Sequence, residues 1–190
     1  MKGHAGVSEN ACPASDLQVG LPRVILSTER LVIREMNDAD ASFILELLND
    51  PSFIRNIGDR HVRTLDDARA YIRNGPVSSY ERLGFGLWLA ELRDRTPIGM
   101  CGLLKRDVLD DVDIGFAYLP AYRSMGYGFE AARGVLDHAR DVLRLARVVA
   151  IVNANNEASA RLLEKLGMTF ERMVQPFPDE PPLKLFGVRS

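Results

Sequence analysis

Cysteine is almost missing from this chain: Cys12 and Cys101 are the only two among 190 residues. Two cysteines cannot build the disulfide framework of a small secreted fold, and with His4, His61 and His138 they show no zinc-ligand spacing. No metal is expected. An excess of one charge is missing too, since 24 Lys and Arg stand against 26 Asp and Glu, a formal net charge of −2. That balance lacks the basic footprint of a general nucleic-acid binder. No apolar run reaches the ~20 residues of a membrane-spanning helix, and residues 1–22 contain no apolar core of a secretory signal. The expected partners therefore exclude nucleic acid and membrane, and a cytoplasmic protein, monomer or homodimer, is expected.

What is present is enough apolar material for one core. With 46% hydrophobic and 26% charged residues, the chain is long enough for one substantial domain and short for two. Residues 1–22 mix Gly, Ser, Pro and Asn with scattered apolar residues and no period, which reads as a mobile tail before a single domain over residues 23–190. Residues 30–34 read as a first strand. Asn37 or Asp38 then caps a helix whose Phe43, Ile44, Leu47 and Leu48 share a face. Thr64 and Asp67 form a capping-box signal for a second helix that ends before Gly75-Pro76. Residues 85–92 and 98–105 read as a hairpin, residues 112–119 and 148–152 as strands, and residues 169–173 and 183–188 as a closing pair. The alternation gives an α/β arrangement around a mixed sheet, with strands 112–119 and 148–152 parallel because a helix joins them.

That joining helix carries the first functional signal. Arg123-Ser124-Met125-Gly126-Tyr127-Gly128 opens it directly after an apolar strand, and Ala132, Val135, Leu136, Ala139 and Leu143 form its apolar stripe. Glycines at a helix start let backbone N–H groups approach an anion where unpaired donors and the positive dipole end converge, so a phosphate-bearing ligand fits. Neither the dinucleotide-binding pattern nor the P-loop pattern is completed. Two glycines also serve a plain strand-to-helix turn. The second signal is Asn156-Glu157-Ala158-Ser159, which opens another helix ending at Gly167.

Taken together, these segments resemble the GCN5-related N-acetyltransferases (GNAT). Arg123-x-x-Gly126-x-Gly128 is similar to that family's acetyl-CoA pyrophosphate loop. Asn153-Ala154-Asn155-Asn156-Glu157-Ala158-Ser159 with Leu163-Glu164-Lys165-Leu166-Gly167-Met168 resembles the signature of its RimJ/RimL-like branch. The resemblance spans residues 26–186, with its specific part between residues 112 and 168. It implies a GNAT fold: a central mixed, mostly antiparallel sheet with one splayed parallel strand pair, flanked by helices. It further implies that acetyl-CoA is the co-substrate, with its pantetheine arm in the wedge beside Phe116, Ala117 and Tyr118. The pyrophosphate would then meet Arg123, Ser124, Met125, Gly126, Tyr127 and Gly128, and Asn153, Asn156 and Ser159 would face the coenzyme from the second helix. Arg133, Arg161 and Lys165 are candidates for the 3′-phosphate, against a simple solvated role.

Acetyl transfer from a thioester to an amine needs a neutral amine, a stabilised oxyanion and departure of a thiolate. Deprotonating a lysine-like amine at pH 7 costs about 4–5 kcal/mol and an α-amino group about 1–1.5, so a base matters most for alkylamines. Asp113, in Val112-Asp113-Ile114-Gly115, matches the segment where relatives often carry a carboxylate, and is the candidate base directly or through water. A purely orienting role for it stays open. The branch's Tyr proton donor is replaced by Leu163, which leaves Ser159 or water to protonate the thiolate. Asn156 and Ser159 are also ordinary helix-capping residues. Cys101 reads as a small core residue, Trp88 and Phe85 as core or groove wall, and His138 as a surface histidine. Asp179 and Glu180 offer charge to a cationic acceptor or merely solvate a loop. The expected activity is direct transfer of an acetyl group to a primary amine, a protein N-terminus or a small molecule. A non-catalytic acyl-CoA-binding sensor or scaffold is the competing reading.

Overall fold

The computed structural model describes residues 22–177 and 181–189. All of the expected tail but Pro22, together with Asp179 and Glu180, lies outside these. The strands are β1 (Val24–Ser27), β2 (Leu31–Arg34), β3 (Leu87–Leu92), β4 (Pro97–Leu104), β5 (Val112–Tyr118), β6 (Arg147–Asn153), β7 (Thr169–Val174) and β8 (Leu183–Arg189). They form one sheet in the order β1-β2-β3-β4-β5-β6-β8-β7. Only β5 and β6 pair in parallel, as the helical crossover between them requires. Every other neighbouring pair is antiparallel, so the expected mixed, mostly antiparallel sheet is observed.

Side-chain alternation along the strands gives the sheet two buried faces. Trp88 and Ala90 of β3 join Ile114 and Tyr118 of β5 on one face, beneath α5 (Tyr127–Asp141) and α6 (Glu157–Lys165). Ala131, Ala132, Val135 and Ala139 of α5 are buried there, matching the predicted stripe, while Leu136 and Leu143 pack at its border. Leu89 of β3 and Met100 of β4 turn to the opposite face. It is covered by α1 (Ala41–Asn49), α2 (Pro51–Ile57) and α3 (Leu65–Ile72). The predicted face of α1, Phe43, Ile44, Leu47 and Leu48, is buried against it.

Three elements differ from the sequence reading. Residues 24–27 form an extra edge strand, β1, whose pairing with β2 is interrupted by a bulge and whose Val24 stays half exposed. Asp50 and Pro51 open the unforeseen α2: the Asp50 carboxylate accepts from the N–H groups of Ser52 and Phe53, and proline fits the first helical position, where no N–H is needed. Gly75-Pro76 does not stop the chain's helical path. A π-helical stretch over Arg73–Val77 absorbs the proline, and α4 (Ser78–Leu83) runs on until Gly84 turns left-handed at φ 78°.

One buried ion network fixes the sheet to the α1 side. Arg34 on β2 donates through Nε to Glu91 on β3 at 2.8 Å and through both terminal nitrogens to Asp40, at 2.8 and 3.0 Å. All three residues are buried. Arg34→Ala would leave the buried Asp40 carboxylate without a cation and Glu91 with only its contact to Arg95 at 3.2 Å, a loss of about 3–5 kcal/mol. For a chain of this length that lowers Tm by on the order of 10 °C, readable by differential scanning calorimetry; an unchanged Tm would refute the assignment.

Candidate active site

The parallel pair holds together over only two positions, Val112↔Val148 and Asp113↔Val149. Beyond them β5 keeps its ladder to β4, through Gly115↔Gly102, Phe116↔Cys101, Ala117↔Met100 and Tyr118↔Gly99, while no pairing to β6 continues. The result is a wedge whose one wall is a strand edge able to accept an extended, amide-bearing ligand. Phe116 and Tyr118 lie on the α5 face of this wall and Ala117 on the opposite face. Tyr118 is packed tightly: a Cβ at Gly99 would meet its ring at 2.3 Å.

The wedge opens toward the start of α5. A short 3₁₀ turn over Pro120–Tyr122 leads into a loop with two left-handed residues, Ser124 at φ 61° and Gly126 at φ 85°. Gly126 is the N-cap of α5 and supplies no side-chain acceptor, so the first-turn N–H groups face outward with the positive end of a 15-residue helix behind them. Gly126 therefore serves backbone conformation. Gly128 has a packing reason instead, because a Cβ there would meet Leu162 of α6 at 3.2 Å and Tyr118 at 3.4 Å.

Arg123 sits differently from a free phosphate ligand. Its Nε donates to the Tyr118 carbonyl at 2.7 Å and its Nη2 to Asp50 Oδ1 at 2.8 Å. It thereby ties the end of β5 to the N-cap of α2. Although burial alone would raise the Asp50 carboxyl, the Ser52 hydroxyl, Arg123 and the Phe53 N–H hold it down to about 2. Ser124, Met125 and Tyr127 complete the loop, with Met125 exposed.

On the far wall, Asn153 ends β6 and its Oδ1 accepts from the Asn155 N–H at 3.1 Å. Asn156 caps α6, accepting at Oδ1 from the Ser159 N–H at 3.1 Å. The capping role anticipated for Asn156 is thus present. Leu163 is fully buried in the α5–α6 core. Arg133, Arg161 and Lys165 are exposed, and Arg133 lies 5.7 Å from the Phe129 ring.

Asp113 stands where the wedge closes, with a side chain that is 2% exposed. Arg106 Nε lies 3.1 Å from both of its oxygens. Burial pushes the carboxyl above its ordinary value, against the opposing pull of Arg106. The same cation, with Arg60, pulls down the phenol of Tyr71 on α3, which burial raises. The sequence gives no sign of Arg60, Tyr71 and Arg106, since only the fold brings the segment before α3, α3 itself and the β4–β5 connection near one another. Val149, paired with Asp113, also lines a cavity of about 160 Å³ with Asp110, Asp111, Val174 and Leu185. Asp111 is bound to Arg147 at 2.8 Å.

Two further residues resolve. Cys101 is wholly buried and its thiol is pushed up to about 12 by burial, the state of an inert core residue. His138 is not the free surface residue expected; it packs edge-on against Trp88 with centroids 5.6 Å apart, because Trp88 sits directly beneath α5. Among the described residues no group of three or more His, Cys, Asp or Glu is gathered for a metal, and no helix is long and apolar enough to cross a membrane.

Comparison with known proteins agrees with this architecture. The acetyltransferase (GNAT) domain family matches residues 30–169. An uncharacterized N-acetyltransferase of Bacillus subtilis (strain 168), YoaA, is 28% identical over 157 residues, covering 80% of this chain and 87% of that protein. An acetyltransferase from Agrobacterium tumefaciens str. C58 superposes with a TM-score of 0.76 at 20% identity, covering 99% of this chain and 100% of that one. RimL, a ribosomal alpha-N-protein acetyltransferase in complex with coenzyme A, shares the fold with a TM-score of 0.76 at 13% identity, covering 88% of this chain and 98% of that one. The open wedge, the glycine loop at the start of α5 and the family match over most of the sheet lead to one assignment: the chain belongs to the GNAT acetyltransferase family.

Proposed function

We propose that this acetyltransferase uses acetyl-CoA and passes the acetyl group directly, in a ternary complex, to a primary amine. The observation that carries the reading is the junction of an open β5 edge with the uncapped start of α5. The edge suits the two amides of a pantetheine arm, and the helix start suits a pyrophosphate. Phe116, Ala117 and Tyr118 would flank the arm, residues 123–128 the pyrophosphate, and Asn153, Asn156 and Ser159 the opposite side. Arg123 contributes by holding Tyr118 and the loop in register.

In this reading the amine nitrogen attacks the thioester carbonyl, a C–N bond forms and the C–S bond breaks. The amine proton passes to Asp113, directly or through water, and the coenzyme thiolate takes its proton from Ser159 or water. Asp113 suits the task in one respect, since burial makes it a better proton acceptor than an ordinary carboxylate. Arg106 opposes that rise without reversing it. The cavity beside Val149, whose lining carries Asp110 and Asp111 together with Arg147 and Arg172, would be the entrance for an acceptor. A protein N-terminus, the acceptor type printed for RimL, and a small-molecule amine both fit this chemistry.

Two measurements test the reading. Thiol release from acetyl-CoA across a panel of α-amino and alkylamine acceptors should identify an active class; no release with any amine would contradict it. Acetyl-CoA at a hundredfold excess over its Kd should stabilise the fold by about 2.7 kcal/mol in a thermal-shift assay, well above NAD or ATP. Equal shifts from all three would mean general anion binding.

A further inference from the structure

Beyond the residues that line the wedge, one side chain from the opposite end of the sequence grips the glycine loop. Arg30 lies in the turn between β1 and β2 and donates through Nη1 to the Met125 carbonyl at 3.0 Å. Its guanidinium carbon stands 4.5 Å from the Tyr127 ring centroid. Its Nε reaches Glu130 Oε2 at 2.6 Å, and its backbone N–H donates to Glu130 Oε1 at 2.8 Å. Thr28 donates to the same Oε1 at 2.5 Å. Glu130 belongs to the first turn of α5, so the β1–β2 turn holds both the loop and the helix that follows it.

We propose that Arg30, fixed by Glu130, is a positioning residue that sets the loop for the pyrophosphate of acetyl-CoA; the inference rests on the reading that this loop holds that group. The geometry of one peptide carries it. In a trans peptide the carbonyl and the following N–H point in opposite directions, and the described residues contain no cis bond. Pinning the Met125 carbonyl on Arg30 therefore turns the Gly126 N–H away from the guanidinium, toward the side from which an anion can reach the helix start. The loop does not hold this orientation for nothing, since Ser124 and Gly126 are both left-handed and Ser124 is strained there. Glu130 neutralises Arg30, so the arginine acts through backbone orientation rather than as an unpaired phosphate ligand.

The test compares two thioesters, acetyl-CoA and S-acetylpantetheine, which lacks the pyrophosphate and adenosine. For Arg30→Ala the ratio of kcat/KM for acetyl-CoA to that for S-acetylpantetheine should fall about tenfold, the size expected for losing a charged hydrogen bond at the loop. The loss should appear in KM for acetyl-CoA more than in kcat. General damage to the fold would lower both substrates and leave the ratio alone. Arg30→Lys, which keeps charge and stem but not the fork, should give a smaller fall of the same sign and serves in place of the Ala variant if that folds poorly. Glu130→Gln should move the ratio the same way. An unchanged ratio in these variants overturns the inference alone, whereas a wild-type protein that uses neither thioester overturns the acetyl-CoA reading and the inference with it.

Discussion

Replacing Asp113 by Asn is expected to cut turnover by roughly 10²–10⁴-fold, the usual span for general acid–base catalysis, with acetyl-CoA affinity little changed. Raising the pH should partly rescue the variant, because more acceptor amine is then already neutral. Rescue should be complete at lower pH for an α-amino acceptor than for an alkylamine, whose reference pKa lies about 2–3 units higher. In the wild-type protein, activity should rise with pH as Asp113 loses its proton. Because burial raises that carboxyl, the acid limb of kcat/KM should lie above the ordinary Asp value of about 3.9. Arg106→Gln removes the cation that lowers it and should move the limb to still higher pH. A full-activity Asp113→Asn protein would assign deprotonation to water or another group. An unfolded one would make the Arg106 pair a structural tie.

Gly126→Val is expected to weaken acetyl-CoA binding by at least about tenfold while leaving the sheet intact. At φ 85° a β-branched residue is forced into a conformation that L side chains avoid, at a cost of roughly 1–2 kcal/mol or more. The added side chain would also meet Arg30 Nη2, 3.2 Å from the Cβ position, and disturb the contact that orients the Met125 carbonyl. Calorimetric titration with acetyl-CoA and circular dichroism together read the outcome. A folded Gly126→Val protein with wild-type affinity would remove the loop from the site.

Local patterns and the helix-joined strand pair were legible in the sequence, whereas side-chain contacts between distant segments were not. The stripe of α5 and the burial face of α1 followed from periodicity, which depends on neighbours within a few residues, and the parallel pair from the rule for strands joined by a helix. The edge strand β1 escaped because four residues beside a bulge carry too short a pattern. Gly75-Pro76 misled because a π-helical turn can carry a proline, an outcome decided by packing. At the site, Gly126 could be read from its residue type, whereas the reason for Gly128 is a side chain on another helix. Arg123 was legible as a motif residue, but its partner Asp50 lies 73 positions away. Arg30 and Glu130 stand 100 positions apart, and nothing local announces their contact.

The most direct test of the account is backbone hydrogen exchange with and without saturating acetyl-CoA. Slower exchange is expected in two segments, residues 114–118 along the open edge of β5 and residues 124–129 at the start of α5. Saturated binding with protection elsewhere, and none in these two segments, would contradict the account.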